Sequence, residues 1–196
     1  MLKNFKTPSL STLSWLVTLV LVVCNLLLIR QNSQLRGLVQ DLEAAQRIQV
    51  GDKLSSFKAS DLEGKPTEVR FAENNLKKIV LFSSISCPFC KKQNPNWNQL
   101  IKQVDRRKYE VVELFRDKEA REQVAAYLKA NGFGNDESGE VFLVADSLLQ
   151  GKKLNSTPVT LIVGENGVVE RAWFGLWDNS AIADVNSSLD ISIRPN

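Results

Sequence analysis

Histidine is absent from this chain of 196 residues, and cysteine, methionine and tyrosine are scarce at three, one and two residues. Zinc held by protein side chains takes four ligands. Beyond the N-terminal segment the chain offers two cysteines, Cys87 and Cys90, so no metal site is expected. Covalent haem attachment to a Cys pair requires His directly after the second Cys, where Lys91 stands. Copper binding of the kind that uses a wider Cys spacing and a distal His is excluded too, and no cofactor is expected. Charge bias is also missing. The 25 Lys and Arg against 22 Asp and Glu leave a net charge of +3. No basic patch is interleaved with aromatic residues, so nucleic acid is not an expected partner. With 43% hydrophobic and 24% charged residues, no internal repeat and no low-complexity tract, the bulk of the chain should fold.

One segment has no charge at all. From Leu10 to Ile29 the polar members are Ser11, Thr12, Ser14, Thr18, Cys24 and Asn25. A membrane-spanning helix needs about 20 mostly apolar residues. A cleaved signal peptide has an apolar core of roughly 7–15 residues followed by a small-residue cleavage site. Here Leu26-Leu27-Leu28-Ile29-Arg30 continues the apolar run, which favours an uncleaved signal anchor. Cys24 is read as an apolar filler, because Val23 is too bulky for the residue that precedes an acylated Cys. Lys3 and Lys6 precede the span, Arg30 and Arg36 follow it, and the positive-inside comparison is nearly balanced. The N-terminus is placed in the cytoplasm because a short anchor ahead of one domain usually inserts that way. Gln31 to Gln49 reads as a helix with Leu35, Leu38, Leu42 and Ala45 on one stripe. Two heptads are too few for a coiled coil, so this is a solvated spacer. The expected organisation is a cytoplasmic N-terminus over 1–9, an anchor over 10–30, a helical spacer over 31–50 and a folded domain over 51–196.

Within the folded part, short strands are expected at Ser55–Lys58 and Thr67–Phe71 around a turn at 61–64, then a buried strand at Lys78–Ser83. A helix follows from Pro88 to about Arg107, with Pro95 removing one donor. A strand covers Tyr109–Phe115, and Asp117 should cap a helix reaching Asn131. Val141–Val144 is short and apolar. Pro158–Val163 and Val168–Phe174 form a hairpin over Glu165-Asn166-Gly167, and Asn179–Leu189 reads as the last helix. This order implies an α/β fold, a central mixed sheet with helices on both faces.

The chemistry sits in Cys87-Pro88-Phe89-Cys90, which follows the apolar Ile79-Val80-Leu81-Phe82 and opens a helix. At that helix start, unpaired backbone N–H groups and the positive end of the helix dipole stabilise a thiolate on Cys87. Pro88 suits the first helical position, where no donor is needed. Cys90, three residues on, returns to the same face. Cys87 is thus the expected nucleophile and Cys90 the resolving thiol. A structural disulfide is the rival reading, but a loop closed over one helical turn stabilises little through chain entropy.

These residues resemble the thioredoxin superfamily, specifically its membrane-anchored TlpA/ResA-type thiol–disulfide oxidoreductases, which are redoxin or AhpC/TSA-like. The likeness covers about Val50 to Asp190. It rests on the apolar strand, on Cys87-Pro88-Phe89-Cys90-Lys91-Lys92, on Pro95, on Ser156-Thr157-Pro158 and on Glu165-Asn166-Gly167. It implies a thioredoxin fold, a cis-proline at Pro158 beside the dithiol, and substrate backbone pairing at Thr157. Pro88 and Phe89 belong to the same substrate-binding set. Several positions depart from the pattern. Ser86 replaces the usual Trp, Leu81 stands where cytosolic thioredoxins bury an Asp, and Gln93 stands where the branch often has Glu. Gln cannot accept a proton, so a base for Cys90 has no obvious source; Glu113 or Asp117 could substitute, although both read first as surface groups or a helix cap. Peroxiredoxin chemistry is not expected, because Ser84 and Val80 stand where that chemistry has Thr and Pro.

Trp97, Trp173 and Trp177 read as core packing rather than a substrate platform. The resemblance implies a membrane-tethered extracytoplasmic oxidoreductase that reduces protein disulfides and is recharged by a transmembrane thiol carrier. The alternatives are an oxidising maturation factor, or a tethered binding module with a structural disulfide.

Overall fold

The computed structural model describes residues 10–72, 75–133 and 139–194. The expected cytoplasmic segment 1–9, with Lys3 and Lys6, lies outside the described residues. The chain divides into two compact units between Gln46 and Arg47.

The first unit is one helix, α1 (Leu10–Ala45), 36 residues without a break. Its stretch Val17–Val39 has a mean hydropathy of 1.3 over 23 residues. At about 1.5 Å per residue that is about 35 Å, enough by length and composition to cross a hydrocarbon core about 30 Å thick. Val17, Leu21, Leu28 and Cys24 are all exposed along it. The helix stops at Ala45 rather than Gln49 because Ile48 belongs to the second unit. That side chain is 2% exposed, and its N–H donates to the Lys153 carbonyl at 3.2 Å.

The second unit is built on a seven-stranded mixed sheet. Its elements are β1 (Phe57–Ser60), β2 (Pro66–Val69), β3 (Lys77–Phe82), α2 (Pro88–Gln103), β4 (Tyr109–Arg116), α3 (Arg121–Ala130), β5 (Glu140–Val144), α4 (Asp146–Gly151), β6 (Val159–Val163), β7 (Val169–Phe174) and α5 (Asn179–Leu189). The strand order is β2-β1-β5-β4-β3-β6-β7. β3, β4 and β5 run parallel, and β6, β7, β1 and β2 pair antiparallel. The sheet with its covering helices is the mixed α/β architecture expected.

Alternation along the central strands divides the core. Ile79 and Leu81 of β3, with Val111 and Phe115 of β4, face the cluster that holds Trp97, Leu100 and Ile101 of α2, Val124 and Leu128 of α3, and Ile182 and Val185 of α5. Val80, Phe82, Val112 and Leu114 face the opposite cluster, with Leu149 of α4, Phe57 and Phe71. This double burial makes β3 a nearly continuous apolar run, as a strand covered on both faces must be. Trp173 and Trp177 are buried at 8% and 5% exposure, edge to face with ring centroids 6.3 Å apart. Core packing is their role.

Several boundaries differ from expectation. α2 ends at Gln103, where Val104 turns extended, rather than near Arg107. Asp117 does not cap α3. The helix starts at Arg121 behind Ala120, with no side-chain cap, and the exposed Asp117 gives its N–H to the Val144 carbonyl at 2.9 Å. The short helix α4 was not anticipated. α5 matches its expected span and is capped by Asp178, which accepts from the Ala181 N–H at 2.8 Å.

Trp97 also joins α2 to β6, because its Nε1–H donates to Thr160 Oγ1 at 2.9 Å with both groups buried. Trp97→Phe leaves that hydroxyl without its donor. A stability loss of about 1–3 kcal/mol is expected, seen as a lower urea midpoint at unchanged slope.

Candidate functional site

The site lies at the sheet edge where the parallel strands end and β6 begins. β3 finishes at Phe82, and residues 83–86 carry the chain to Cys87, which serves as N-cap of α2. Helix N-caps ordinarily supply a side-chain oxygen to free backbone N–H groups. Here sulfur does this, and Cys87 Sγ accepts from the Cys90 N–H at 3.2 Å. Pro88 occupies the first turn, which needs no donor from it. Cys87 is half-buried, Cys90 is fully buried, and Phe89 between them is 56% exposed.

The two thiols are free and differ sharply. Burial pushes Cys87 up, but hydrogen bonds from Cys90, from the Thr157 side chain and from the backbone of Cys90 and Phe89 outweigh it, leaving the thiol below its ordinary 9.0. Cys90 is pushed up to about 12, first by burial and then by its hydrogen bond with Cys87. One sulfur is therefore ready to ionise and the other is kept protonated, an asymmetry that follows from position in the helix turn.

β6 brings the second half of the site. The Thr157–Pro158 peptide bond is cis, and the Cys87 thiol donates to the Thr157 carbonyl at 3.6 Å. Pro158 is buried and its carbonyl accepts from the Gly175 N–H at 2.8 Å, tying this loop to the end of β7. Gly175 has a φ of +77°, a left-handed conformation that favours glycine. The Trp177 N–H then donates to Gln93 Oε1 at 3.0 Å, returning the connection to α2. Cys87, Cys90, Thr157 and Pro158 thus converge, with Pro88 and Phe89 exposed beside them. Among the described residues no group of three or more His, Cys, Asp or Glu side chains is placed to hold a metal ion.

Two carboxylates need separate comment. Glu119, 9% exposed, accepts from Ser84 Oγ at 2.5 Å and from the Ile85 N–H at 3.2 Å, holding the segment that leads into Cys87. Sequence reasoning missed it. The signal available was topological: β3 and β4 are parallel, so a Glu just past the end of β4 arrives beside the loop just past the end of β3. Glu113 is not the surface group first expected. It is 3% exposed in the middle of β4, and its Oε1 has no hydrogen-bond partner. Burial pushes its carboxyl up to about 8, against a smaller downward pull from Arg106.

Residues 50–172 match the AhpC/TSA family model, well over half of the chain. The chain belongs to the AhpC/TSA family. No curated protein matches it in sequence. Among solved structures it is similar to StoA from Bacillus subtilis, with TM-score 0.50 and 17% identity over 67% of this chain and 96% of that one. The thioredoxin domain of a thiol-disulfide oxidoreductase from Bacteroides vulgatus gives TM-score 0.55 and 13% identity over 72% and 99%. A thiol:disulfide interchange protein of the thioredoxin family from Chlorobium tepidum TLS gives 0.54 and 19% over 71% and 96%. At these identities the likeness is one of fold, and the fold is thioredoxin-like. Family and fold together are those of a thioredoxin-type oxidoreductase.

Two measurements check the electrostatics. Iodoacetamide should label Cys87 with a rate midpoint below pH 9.0, while Cys90 stays unlabelled until near pH 12. For Glu113, a folded-state value of about 8 against an ordinary 4.5 means that folding takes up a proton between those limits. Stability therefore falls as pH rises through that window, with the loss complete above it. Relative to Glu113→Gln, the unsubstituted chain should lose Tm between pH 4.5 and 8 and run parallel outside that range.

Proposed function

We propose that this protein is a membrane-tethered, extracytoplasmic thiol–disulfide oxidoreductase that reduces protein disulfides through Cys87 and Cys90. In this reading Cys87 attacks a substrate disulfide, a mixed disulfide forms, and Cys90 attacks Cys87 to release the reduced substrate. Thr157, Pro158, Pro88 and Phe89 form the surface against which the substrate chain lies. The single observation that carries the proposal is the opposed state of the two sulfurs, one lowered at a helix N-cap and one buried and raised. A structural clip has no use for that difference.

The reducing direction draws support from what stabilises Cys87. Strong oxidants of this fold owe their potential to a heavily stabilised reduced form. Here the groups that lower Cys87 are neutral hydrogen-bond donors, and the second thiol is held protonated by burial. The organisation proposed is a cytoplasmic 1–9, an anchor over 10–30, a spacer over 31–50 and the catalytic domain over 51–196. The apolar stretch of α1 supports the tether. The domain would stand on the periplasmic side of the cytoplasmic membrane, recharged by a transmembrane thiol carrier.

Cys90→Ser, in a Cys24→Ala background, should accumulate mixed disulfides with proteins on non-reducing gels, and the further change Cys87→Ser should abolish them. Absence of adducts would replace the enzyme with a binding module that carries a structural disulfide. The reduction potential decides direction: a value near about −270 mV supports a reductant and one near about −120 mV an oxidising factor.

A further inference from the structure

Resolution of the mixed disulfide asks a buried sulfur to become an anion. Cys90 is 0% exposed, and its thiol is pushed up to about 12 by burial and then by its bond with Cys87. Against these, the first group that draws it back is the Ser84 backbone, hydrogen-bonded to the Cys90 sulfur. Cys87 is served differently. Burial raises it, and the bonds that outweigh burial come from Cys90, from Thr157 and from the backbone of Cys90 and Phe89. None of these runs through Ser84.

Ser84 is tied to its surroundings by every polar group it has. Its backbone N–H reaches Cys90, and its carbonyl accepts from the Cys87 N–H at 3.1 Å. Its hydroxyl donates to Glu119 Oε1 at 2.5 Å. A serine has one O–H to give, so in the 3.0 Å contact between the Ser84 and Ser86 hydroxyls Ser86 is the donor. The Ile85 N–H also donates to Glu119, at 3.2 Å to one oxygen and 3.4 Å to the other. One carboxylate thus gathers the three residues ahead of Cys87. Glu119 is in turn fixed from behind. Its own N–H donates to the Arg116 carbonyl at 3.0 Å, and the neighbouring Asp117 N–H is held by the Val144 carbonyl. Arg116 is paired with Asp146 of α4, and its guanidinium lies 5.3 Å from the centre of the Phe82 ring. The turn between β4 and α3 is therefore anchored to β3, β5 and α4 while it aims Glu119 at residues 84–86.

We propose that Glu119 is a positioning residue for the resolving step, holding the Ser84 backbone N–H against the Cys90 sulfur, where negative charge develops as that sulfur attacks. This rests on the oxidoreductase reading above. The Cys87–Cys90 bond forms, the Cys87–substrate bond breaks, and the substrate sulfur leaves with the electron pair. The proton that Cys90 gives up and the proton that the leaving sulfur takes up balance through solvent. Two electrons pass from the dithiol to the substrate, and no other reactant is needed. Glu119 takes no proton in this step and acts only through Ser84. A donor already aimed where charge appears lowers the barrier, because nothing has to reorganise at the moment of reaction.

The test uses the full chain with Cys24→Ala and dithiobis-nitrobenzoate in a stopped-flow mixer. Cys87 releases one thionitrobenzoate in a phase that depends on reagent concentration, and Cys90 releases the second in a phase that does not. Glu119→Ala should slow the second phase at least roughly tenfold, the scale of a hydrogen bond to a charged group, and leave the first within about twofold. Glu119→Gln keeps an oxygen for Ser84 and the Ile85 N–H, and should restore the second phase to within about threefold. An unslowed second phase in Glu119→Ala would overturn the proposal, as would equal slowing of both phases. So would a second phase as slow in Glu119→Gln as in Glu119→Ala, since the charge rather than the hold would then be what matters. Ser84→Ala covers the case of a misfolded Glu119 variant. It removes the hydroxyl, leaves the Ile85 bond, and should slow the second phase at least roughly threefold with the first intact; no slowing also overturns the assignment. Release of a single thionitrobenzoate by the unsubstituted dithiol would instead fail the oxidoreductase reading itself.

Discussion

Everything at this site depends on the first turn of α2 being held against the loop that enters β6. A helix N-terminus alone would lower a thiol wherever it pointed. What makes the turn specific is that Trp97, two turns further along, is bonded to Thr160 inside the core, which ties the helix to β6. The Cys87 sulfur then faces the Thr157 carbonyl, and Gln93 and the Pro158 carbonyl both engage the segment after β7. Three loops from distant parts of the chain are fixed by interactions that are mostly backbone to side chain and mostly out of water. Such bonds weigh heavily, because the unsatisfied alternative is costly in a dry interior.

The asymmetry of the two sulfurs grows from the same constraint. Spacing of three residues places both on one side of the turn, yet the second points inward toward the core and the first outward to the cap. No acidic or basic neighbour is required for this; geometry and burial suffice. The departures Ser86, Leu81 and Gln93 leave that part intact. They alter instead what surrounds the dithiol.

Much of this was legible beforehand. β3 and β6 are short apolar runs with turn residues at their ends, and the Cys-Pro-Phe-Cys segment announces a helix start. Thr157 and Pro158 were found through resemblance alone, since nothing in local composition relates residue 157 to residue 87. The helix α4 has six residues, too few to display a helical period. The two carboxylates were illegible for different reasons. In β4 the run Val111-Val112-Glu113-Leu114-Phe115 puts a charge type at an inward position, and a polar residue in a strand is normally assigned outward. Glu119 needed the sheet order, which depends on parallel pairing that sequence spacing does not reveal.

A chain without histidine has an unusual silence between pH 5 and 8, the range in which imidazole ordinarily titrates. Among the described residues, a carboxyl locked in the sheet is pushed by burial to the top of that range. That carboxyl lies in the interior, on the face beneath α2. Acidification would tighten the fold, because the proton that Glu113 takes up relieves the cost of holding a charge in a dry interior.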